Sequence, residues 1–332
     1  MKKLRFGIIG CSGIAESSTI PSILNSKYAD LEFIGSRTEK KSKEFANKFK
    51  CKKFGSYEDV LENDDVDAVY ISVPVGLHEK WSMKAAKKGK HILCEKSSTT
   101  SFSSAKKMVF ESKKNNIRLM EAFMFRFHPQ HSKVKELIKR NLLGKIYTFS
   151  GFYGFLPIPR TNIRFDKKLG GGILNDAGCY PICASRILFD EEPKSVFCNL
   201  VIDKKSMVDT KANLFLKYDG IKSAFMSVGY DVSYRSTYGL WGTKGNLSLK
   251  RAYNIPANMS AKITLNTNKM NMISVRPVNH FSLMIDNFSK VLQGIIKPSF
   301  NFEDDLLKQA RIMEAARKSS QTKKEIKIKD IK

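Results

Sequence analysis

No apolar run in the sequence approaches the ~18 residues that span a bilayer, which excludes an integral helical membrane protein. The start of the chain, Met1-Lys2-Lys3-Leu4-Arg5 followed by Phe6-Gly7-Ile8-Ile9-Gly10-Cys11, superficially resembles a lipoprotein signal. Its apolar part is shorter than the ~7 residues such a signal requires, so it reads as a first strand, and the chain reads as cytoplasmic with no membrane partner. No C-x-x-C pair occurs among the six cysteines (Cys11, Cys51, Cys94, Cys179, Cys183 and Cys198), which excludes a zinc ribbon and a disulfide framework and leaves reduced, buried thiols. His128-Pro129-Gln130-His131 has no accompanying glutamate; a capping or substrate-contact histidine fits better than a metal pair, and no metal site is expected. Acidic residues are few, 32 against 58 basic ones, for a formal net charge of +26. Arginine is scarce too, at thirteen of those 58, and the lysines are spread over the whole chain instead of gathering with aromatics on one segment. That dispersion suits solvated helix faces, not a nucleic-acid surface. It favours attraction of anionic small molecules such as phosphorylated or nucleotide-linked sugars.

What is there is an alternation of apolar strands and amphipathic helices, in a chain of 332 residues, long enough for two domains with separate cores. Ile92 to Glu95 reads as a short buried strand ending on Lys96, with a helix-like run from Ser101 to Asn116 after it. Ligands of open α/β sheets collect beyond the carboxyl ends of strands, so Lys96 is the first candidate for chemistry. Leu4 to Ile9 runs into Gly10-Cys11-Ser12-Gly13-Ile14-Ala15 and a helical stretch to about Leu24. Small residues there let a pyrophosphate approach the backbone, and the helix N-terminus offers N–H groups and a favourable dipole. Gly10 and Ala15 fill the outer positions of G-x-G-x-x-G/A, whereas the middle position is Ser12, with Gly13 one place later. The second strand, Leu31 to Ser36, leads into Arg37 and a helix from Glu39 to Phe49. A hydroxyl and a guanidinium at that end suit the 2′-phosphate of NADP, with Lys40 or Lys41 assisting, while Asp30 and Glu32 lie at the other end. A helix around Tyr57 to Glu62, a strand Val69 to Val73 closed by Pro74, a helix Leu77 to Lys88 and a strand Ile117 to Ala122 complete a doubly wound parallel sheet.

From Glu121 the pattern changes. An aromatic-rich connection, Phe123 to Pro129, precedes a helix from about Gln130 to Arg140, and then strands crowd together at Ile146 to Tyr153, Ser195 to Ile202, Ala212 to Tyr218, Ile221 to Gly229 and around Leu240 and Leu247. Tyr218-Asp219-Gly220-Ile221 and Thr243-Lys244-Gly245-Asn246 are hairpin signals, and the whole reads as a mainly antiparallel α+β domain. Packed domains of these two kinds leave a cleft that the Lys96 strand should face. Gly170-Gly171-Gly172 permits close backbone approach to a ligand, and Asn175 or Asp176 can cap the helix that runs to Leu188. Asp176 and Tyr180 are four apart and share a face of it.

In order and spacing these motifs resemble the glucose-fructose oxidoreductase and inositol dehydrogenase (Gfo/Idh/MocA) family over nearly the whole chain. The motifs are the N-terminal glycine turn, Ser36-Arg37, Pro74 to His78, Glu95-Lys96, Glu121-Ala122-Phe123-Met124 through Phe127-His128-Pro129, the triple glycine with Asp176 and Tyr180, and the Glu303-Asp304 helix. The family's Glu-Lys-Pro stands here as Glu95-Lys96-Ser97, and its Asn after the turn proline as Val75. The resemblance implies an NAD(P)-binding Rossmann domain over residues 1–122 and an α+β domain over 123–332, built on a mainly antiparallel open sheet that often mediates dimerisation; a homodimer or homotetramer is expected. It places NADP, with NAD possible, against Gly10, Ser12, Gly13, Ile14, Ala15, Ser36, Arg37, Lys41, Val73, Pro74, His78, Glu95 and Lys96, and makes Lys96, Asp176 and Tyr180 the catalytic group. The chemistry agrees, because alcohol oxidation needs a hydride acceptor and a base, and ketone reduction needs the reverse. A tyrosine near pKa 10 serves as that base when an adjacent ammonium favours its phenolate. Arg126, His128, Arg160 and Arg164 are candidate substrate-side residues. The expected activity is hydride transfer at a ring carbon of a sugar or sugar derivative, with nucleotide-linked sugar ketoreductase, free-aldose 1-dehydrogenase and dihydrodiol dehydrogenase as the forms it takes. A catalytically silent NADP-binding sensor is the reading from another class, prompted by Ser97 and Val75.

Overall fold

The computed structural model describes residues 2–332. It divides into two compact units: the first runs to Met124 and adds Phe281–Leu307, and the second runs from Phe125 to His280 and adds Lys308–Lys332. Beside the expected domains of 1–122 and 123–332, the first compact unit ends two residues later and also takes in Phe281–Leu307.

The first unit is a six-stranded parallel sheet made of β1 (Leu4–Ile9), β2 (Ala29–Gly35), β3 (Lys53–Gly55), β4 (Ala68–Ile71), β5 (His91–Cys94) and β6 (Leu119–Glu121), in the order β3-β2-β1-β4-β5-β6. Phe6, Ile8, Ile9, Val69, Tyr70, Ile71, Ile92 and Leu93 are fully buried, as strands covered on both faces require. Between them run α1 (Ile20–Leu24), α2 (Glu39–Phe49), α3 (Tyr57–Glu62), α4 (His78–Lys87) and α5 (Phe102–Lys114). Local sequence sets the helix starts: Ser56 and Asp59 form a reciprocal capping box at α3, each cap being worth about 1 kcal/mol. Strand order reverses between β1 and β4, so a crevice opens beyond their carboxyl ends.

The helix His280–Leu292, absent from the expected elements, carries buried Phe281, Met284, Ile285 and Phe288 at helical spacing. Phe288 packs 6.2 Å from Phe6, and Asp286 accepts a 2.5 Å hydrogen bond from the Ser26 hydroxyl. Further on, buried Glu303 accepts from Arg118 Nε and from the Leu119 amide, both at 2.9 Å. Apolar contact with β1 and a paired carboxylate at β6 are what bring this segment back to the first core.

The second unit contains α6 (Pro129–Lys139), β7 (Ile146–Gly154), α7 (Cys179–Phe189), and strands β8 (Ser195–Ile202), β9 (Asp209–Lys217), β10 (Ser223–Gly229), β11 (Arg235–Gly242), β12 (Asn246–Lys250), β13 (Ala261–Asn266), β14 (Met270–Val275) and β15 (Ile326–Lys327). They form one nine-stranded sheet, β14-β13-β12-β11-β7-β10-β9-β8-β15, in which β7 and β10 are parallel and the other pairs antiparallel. The expected hairpins join β9 to β10 and β11 to β12; β13, β14 and β15 extend the sheet beyond the expected strands. One face carries the core and packs on α7, where a side chain at Gly151 would lie 2.7 Å from Pro181 Cβ. The other face exposes aromatics: Phe197 faces Phe215, which faces Phe225, across three neighbouring strands. Among the described residues no helix is long and apolar enough to cross a membrane.

Candidate functional site

Candidate residues gather at two places, one in each unit. In the first, β1 ends on Gly10 at φ +112°, where a Cβ would stand 2.9 Å from the Val73 nitrogen. Only glycine allows the ends of β1 and β4 to approach so closely, and the Ser72 hydroxyl locks them by donating to the Gly10 carbonyl at 2.8 Å. Ser12 then caps the helix: its Oγ accepts from the Ala15 amide at 3.1 Å and its carbonyl from the Glu16 amide at 3.0 Å. The amides of Gly13 and Ile14 therefore precede the first intrahelical bond. A Cβ on Gly13 would meet nothing within 4 Å, so that side of the turn is open. The serine that departs from the glycine fingerprint thus takes up the capping work, while Gly13 keeps the approach clear. A π-helical turn, Ala15–Thr19, continues this helix start, which no residue pattern announced.

At the end of β2, Ser36 is buried and Arg37 and Lys41 are exposed. The strand's carboxylates are occupied at its other side, Asp30 with Lys3 at 2.9 Å and Glu32 with Lys53 at 2.6 Å. A hydroxyl and a cation are what this end offers a ligand. Cys11 lies between the two strand ends, buried, with its thiol pushed up to about 11 by burial. After Pro74, the buried His78 has Nε2 2.7 Å from the Val73 carbonyl oxygen and Nδ1 3.1 Å from that of Ser97. Burial holds its pKa down to about 4, so the ring is neutral, donates one proton, and ties the turn after β4 to the turn after β5. Glu95 accepts from the fully buried Tyr70 hydroxyl at 2.5 Å and from the Lys96 amide at 3.2 Å, with burial raising its carboxyl pKa. The Lys96–Ser97 peptide is cis. Open amides at a helix start, a close-approach glycine and a phosphate-suited end of β2 together fit a dinucleotide.

In the second unit, α7 is preceded by a π-helical turn, Leu174–Gly178, that carries Asp176. Neither Asn175 nor Asp176 caps it, contrary to expectation: Leu174 N donates to Asp209 Oδ2 at 2.6 Å, while Asn175 bonds the Gly170 carbonyl and accepts from Arg317 Nη2 at 2.5 Å. The triple glycine also serves the chain's own packing. A Cβ on Gly171 would lie 2.4 Å from the Arg164 carbonyl oxygen, and one on Gly172, at φ +117°, 2.3 Å from Asp209 Oδ1. Asp176 Oδ2 accepts from Arg164 Nε at 2.6 Å and from the Tyr230 hydroxyl at 3.2 Å, and this carboxylate holds the Arg164 pKa above its ordinary value. Tyr180 is 4% exposed among the rings of Tyr153, Phe125 and Tyr253, with centroids at 5.3, 5.6 and 5.8 Å.

The other candidates are more dispersed. Arg160 donates to Asp231 at 2.7 Å and stacks 4.4 Å from the Phe165 ring centroid. Arg126 is half-buried in the short turn Met124–Phe127. His128 is fully buried and caps α6 through the Gln130 amide, 3.1 Å from its Nδ1; burial lowers its pKa to about 4. Tyr230, Asp209 and Arg317 are the neighbours that motif reading missed. They lie 54, 35 and 142 residues from their partners in the turn, and no local pattern marks them. Among the described residues no group of three or more His, Cys, Asp or Glu is placed to hold a metal ion.

Comparison with known proteins matches residues 4–123 to the model described as oxidoreductase family, NAD-binding Rossmann fold, and residues 131–248 to the GFO/IDH/MocA C-terminal domain. The dTDP-3,4-didehydro-2,6-dideoxy-alpha-D-glucose 3-reductase of Saccharopolyspora spinosa is 32% identical over 80% of each chain. D-xylose 1-dehydrogenase (NADP(+)) 2 of Haloferax volcanii is 31% identical over 96% of this chain and 98% of its own. A crystal structure of a 3-ketoreductase from Actinomadura kijaniata in complex with NADP and TDP-benzene superposes with a TM-score of 0.92 at 28% identity, covering 96% of this chain and 98% of that one. The chain belongs to the GFO/IDH/MocA family of oxidoreductases with an NAD-binding Rossmann fold.

Proposed function

We propose that the protein transfers a hydride between NADP and a ring carbon of a nucleotide-linked sugar, working as a ketoreductase. The observation that carries this reading is the likeness, over 96% of the chain, to a ketoreductase solved with NADP and a TDP compound. The formal charge of +26 adds attraction for a diphosphate-bearing substrate. When bound, NADPH supplies the hydride. Gly10, Ser12, Gly13, Ile14, Ala15, Val73 and Pro74 shape the pyrophosphate side of its site, Ser36, Arg37 and Lys41 receive the 2′-phosphate, and His78 and Glu95 brace the turns that carry Pro74 and Lys96. Tyr180 exchanges the proton of the substrate oxygen. The Lys96 ammonium lowers the cost of charge on that oxygen and on the Tyr180 phenolate. Asp176, oriented by Arg164 and Tyr230, orients Lys96 or a substrate hydroxyl beside the reacting carbon. Arg126, His128, Arg160 and Arg164 stand as the substrate-side set, of which His128 acts through the start of α6 because it is fully buried.

Titration of tryptophan fluorescence with NADPH and NADH, followed by a spectrophotometric screen of dTDP-linked ketosugars and free aldoses in both directions, tests the reading. Tighter binding of NADPH with turnover of the nucleotide-linked class is expected. Turnover of free aldoses alone would transfer the assignment to a 1-dehydrogenase, the reading that the full-length likeness to the xylose enzyme favours. Binding without turnover of either class would leave a sensor.

The same reading includes a homodimer formed through the outer face of the nine-stranded sheet. Phe225 and Trp241 there are 49% and 57% exposed, and Phe225 stacks on Phe215 with centroids 4.7 Å apart. Exposed aromatics of this kind are costly in water and are covered by the same face of a second copy in a twofold pair. Sedimentation velocity should report a dimer that Phe225→Asp converts to monomer; an unchanged sedimentation coefficient would exclude this face.

A further inference from the structure

A helix start leaves its first amides without intrahelical partners, and a side chain of the preceding residue usually satisfies one. The π-helical turn Leu174–Gly178 lacks such a cap, since Ile173 at its N-cap offers no side-chain acceptor. The acceptor comes instead from Asp209, the first residue of β9, whose Oδ2 takes the Leu174 amide at 2.6 Å. We propose that Asp209 is a positioning residue for the reaction, clamping from the sheet the turn that presents Asp176 and leads into Tyr180; this rests on the catalytic assignment of those two residues under the proposed function.

Three independent features point the same way. Gly172, at φ +117°, leaves room for the carboxylate, since a Cβ there would stand 2.3 Å from Asp209 Oδ1. The side chain next to Leu174 is held as well, Asn175 Oδ1 accepting from Arg317 Nη2 at 2.5 Å, and the charge of Arg317 favours the ionised Asp209 carboxylate. The turn is π-helical, a form with weak intrinsic preference that persists where surroundings impose it and that recurs at functional sites. Asp176 Oδ2, two residues after the clamped amide, meets both Arg164 and Tyr230, so a shift of the turn moves the carboxylate out of both contacts. Displacements of about 1 Å at a reacting centre cost about a hundredfold in rate.

The full-length protein with NADPH and a dTDP-linked ketosugar, or with NADP and D-xylose, supplies the test. Asp209→Ala should lower kcat at least about tenfold while the NADPH dissociation constant stays within about twofold. Asp209→Asn keeps an acceptor oxygen at the same place and, asparagine being as good a cap as aspartate, should restore kcat to within about threefold of wild type. Asp176→Asn and Tyr180→Phe run alongside. Wild-type turnover in both would remove the catalytic assignment itself. Loss of turnover in those two with an unchanged kcat in Asp209→Ala would overturn the positioning role, as would equal losses in Asp209→Ala and Asp209→Asn. Should Asp209→Ala fail to fold, Gly172→Ala displaces the same carboxylate: a drop in kcat with NADPH affinity kept supports the clamp, and wild-type kcat overturns it.

Discussion

Lys96→Ala should lower kcat by at least about a hundredfold and leave the NADPH dissociation constant within about threefold of wild type. The magnitude follows from what one oriented charge contributes to a transition state: removing a single electrostatic donor to a developing oxyanion costs about 10²–10³ in kcat. Under the proposed assignment the proton step also loses the cation that would favour a phenolate, and should slow as well. Cofactor affinity is spared because the backbone around Lys96 is held without its side chain. Glu95 is anchored on Tyr70 and receives the Lys96 amide, and Ser98 N donates to Glu121 Oε1 at 2.8 Å. Lys96→Arg keeps the charge but not its compact shape and should recover only part of the rate. Steady-state kinetics with a fluorescence titration of each variant separates the two quantities. Turnover retained in Lys96→Ala would remove the lysine from the chemistry.

Arg37→Asp should shift the ratio of kcat/KM for NADP over NAD by about 10² towards NAD. A charge-assisted hydrogen bond from a guanidinium to a phosphate contributes about 1.5–3 kcal/mol, a factor of about 10 to 100, and a carboxylate in its place repels the 2′-phosphate while accepting a bond from a ribose hydroxyl. Arg37 is exposed, which keeps the loss at the lower end of that range, and the repulsion adds to it. Ser36 is buried and unchanged in this variant. Melting temperature should not move, since a surface substitution away from packed contacts stays within about 0.5 kcal/mol. An unchanged NADP/NAD ratio would mean that the 2′-phosphate is read elsewhere, with Lys41 the next residue to replace.

The parallel half of the molecule was legible because its determinants are local. Leu4–Ile9 and Ala68–Ile71 are short apolar runs because both faces of their sheet are covered, and α2 and α3 span the residues that the sequence pattern places in them. Gly10 was legible for the same reason, since a strand-to-helix turn at positive φ admits little else. The helix His280–Leu292 is different. Its apolar spacing is present in the sequence, but whether Phe288 meets Phe6 or the other core depends on a partner about 280 residues away.

The second half shows the same division within a few residues. Sequence alone determined that Gly170-Gly171-Gly172, Asp176 and Tyr180 form one small-residue turn and helix start. Only the tertiary structure decided what they do there: Gly171 and Gly172 make room for the Arg164 carbonyl and the Asp209 carboxylate, Asp176 is held by Arg164 and Tyr230, and the helix is capped from β9. The reason is physical. Turns, caps and periodic faces are set by residues within about four positions of one another, whereas a carboxylate's partners and a glycine's neighbours are chosen by how distant strands fold back onto them, information that hydrophobic patterning along the chain does not carry.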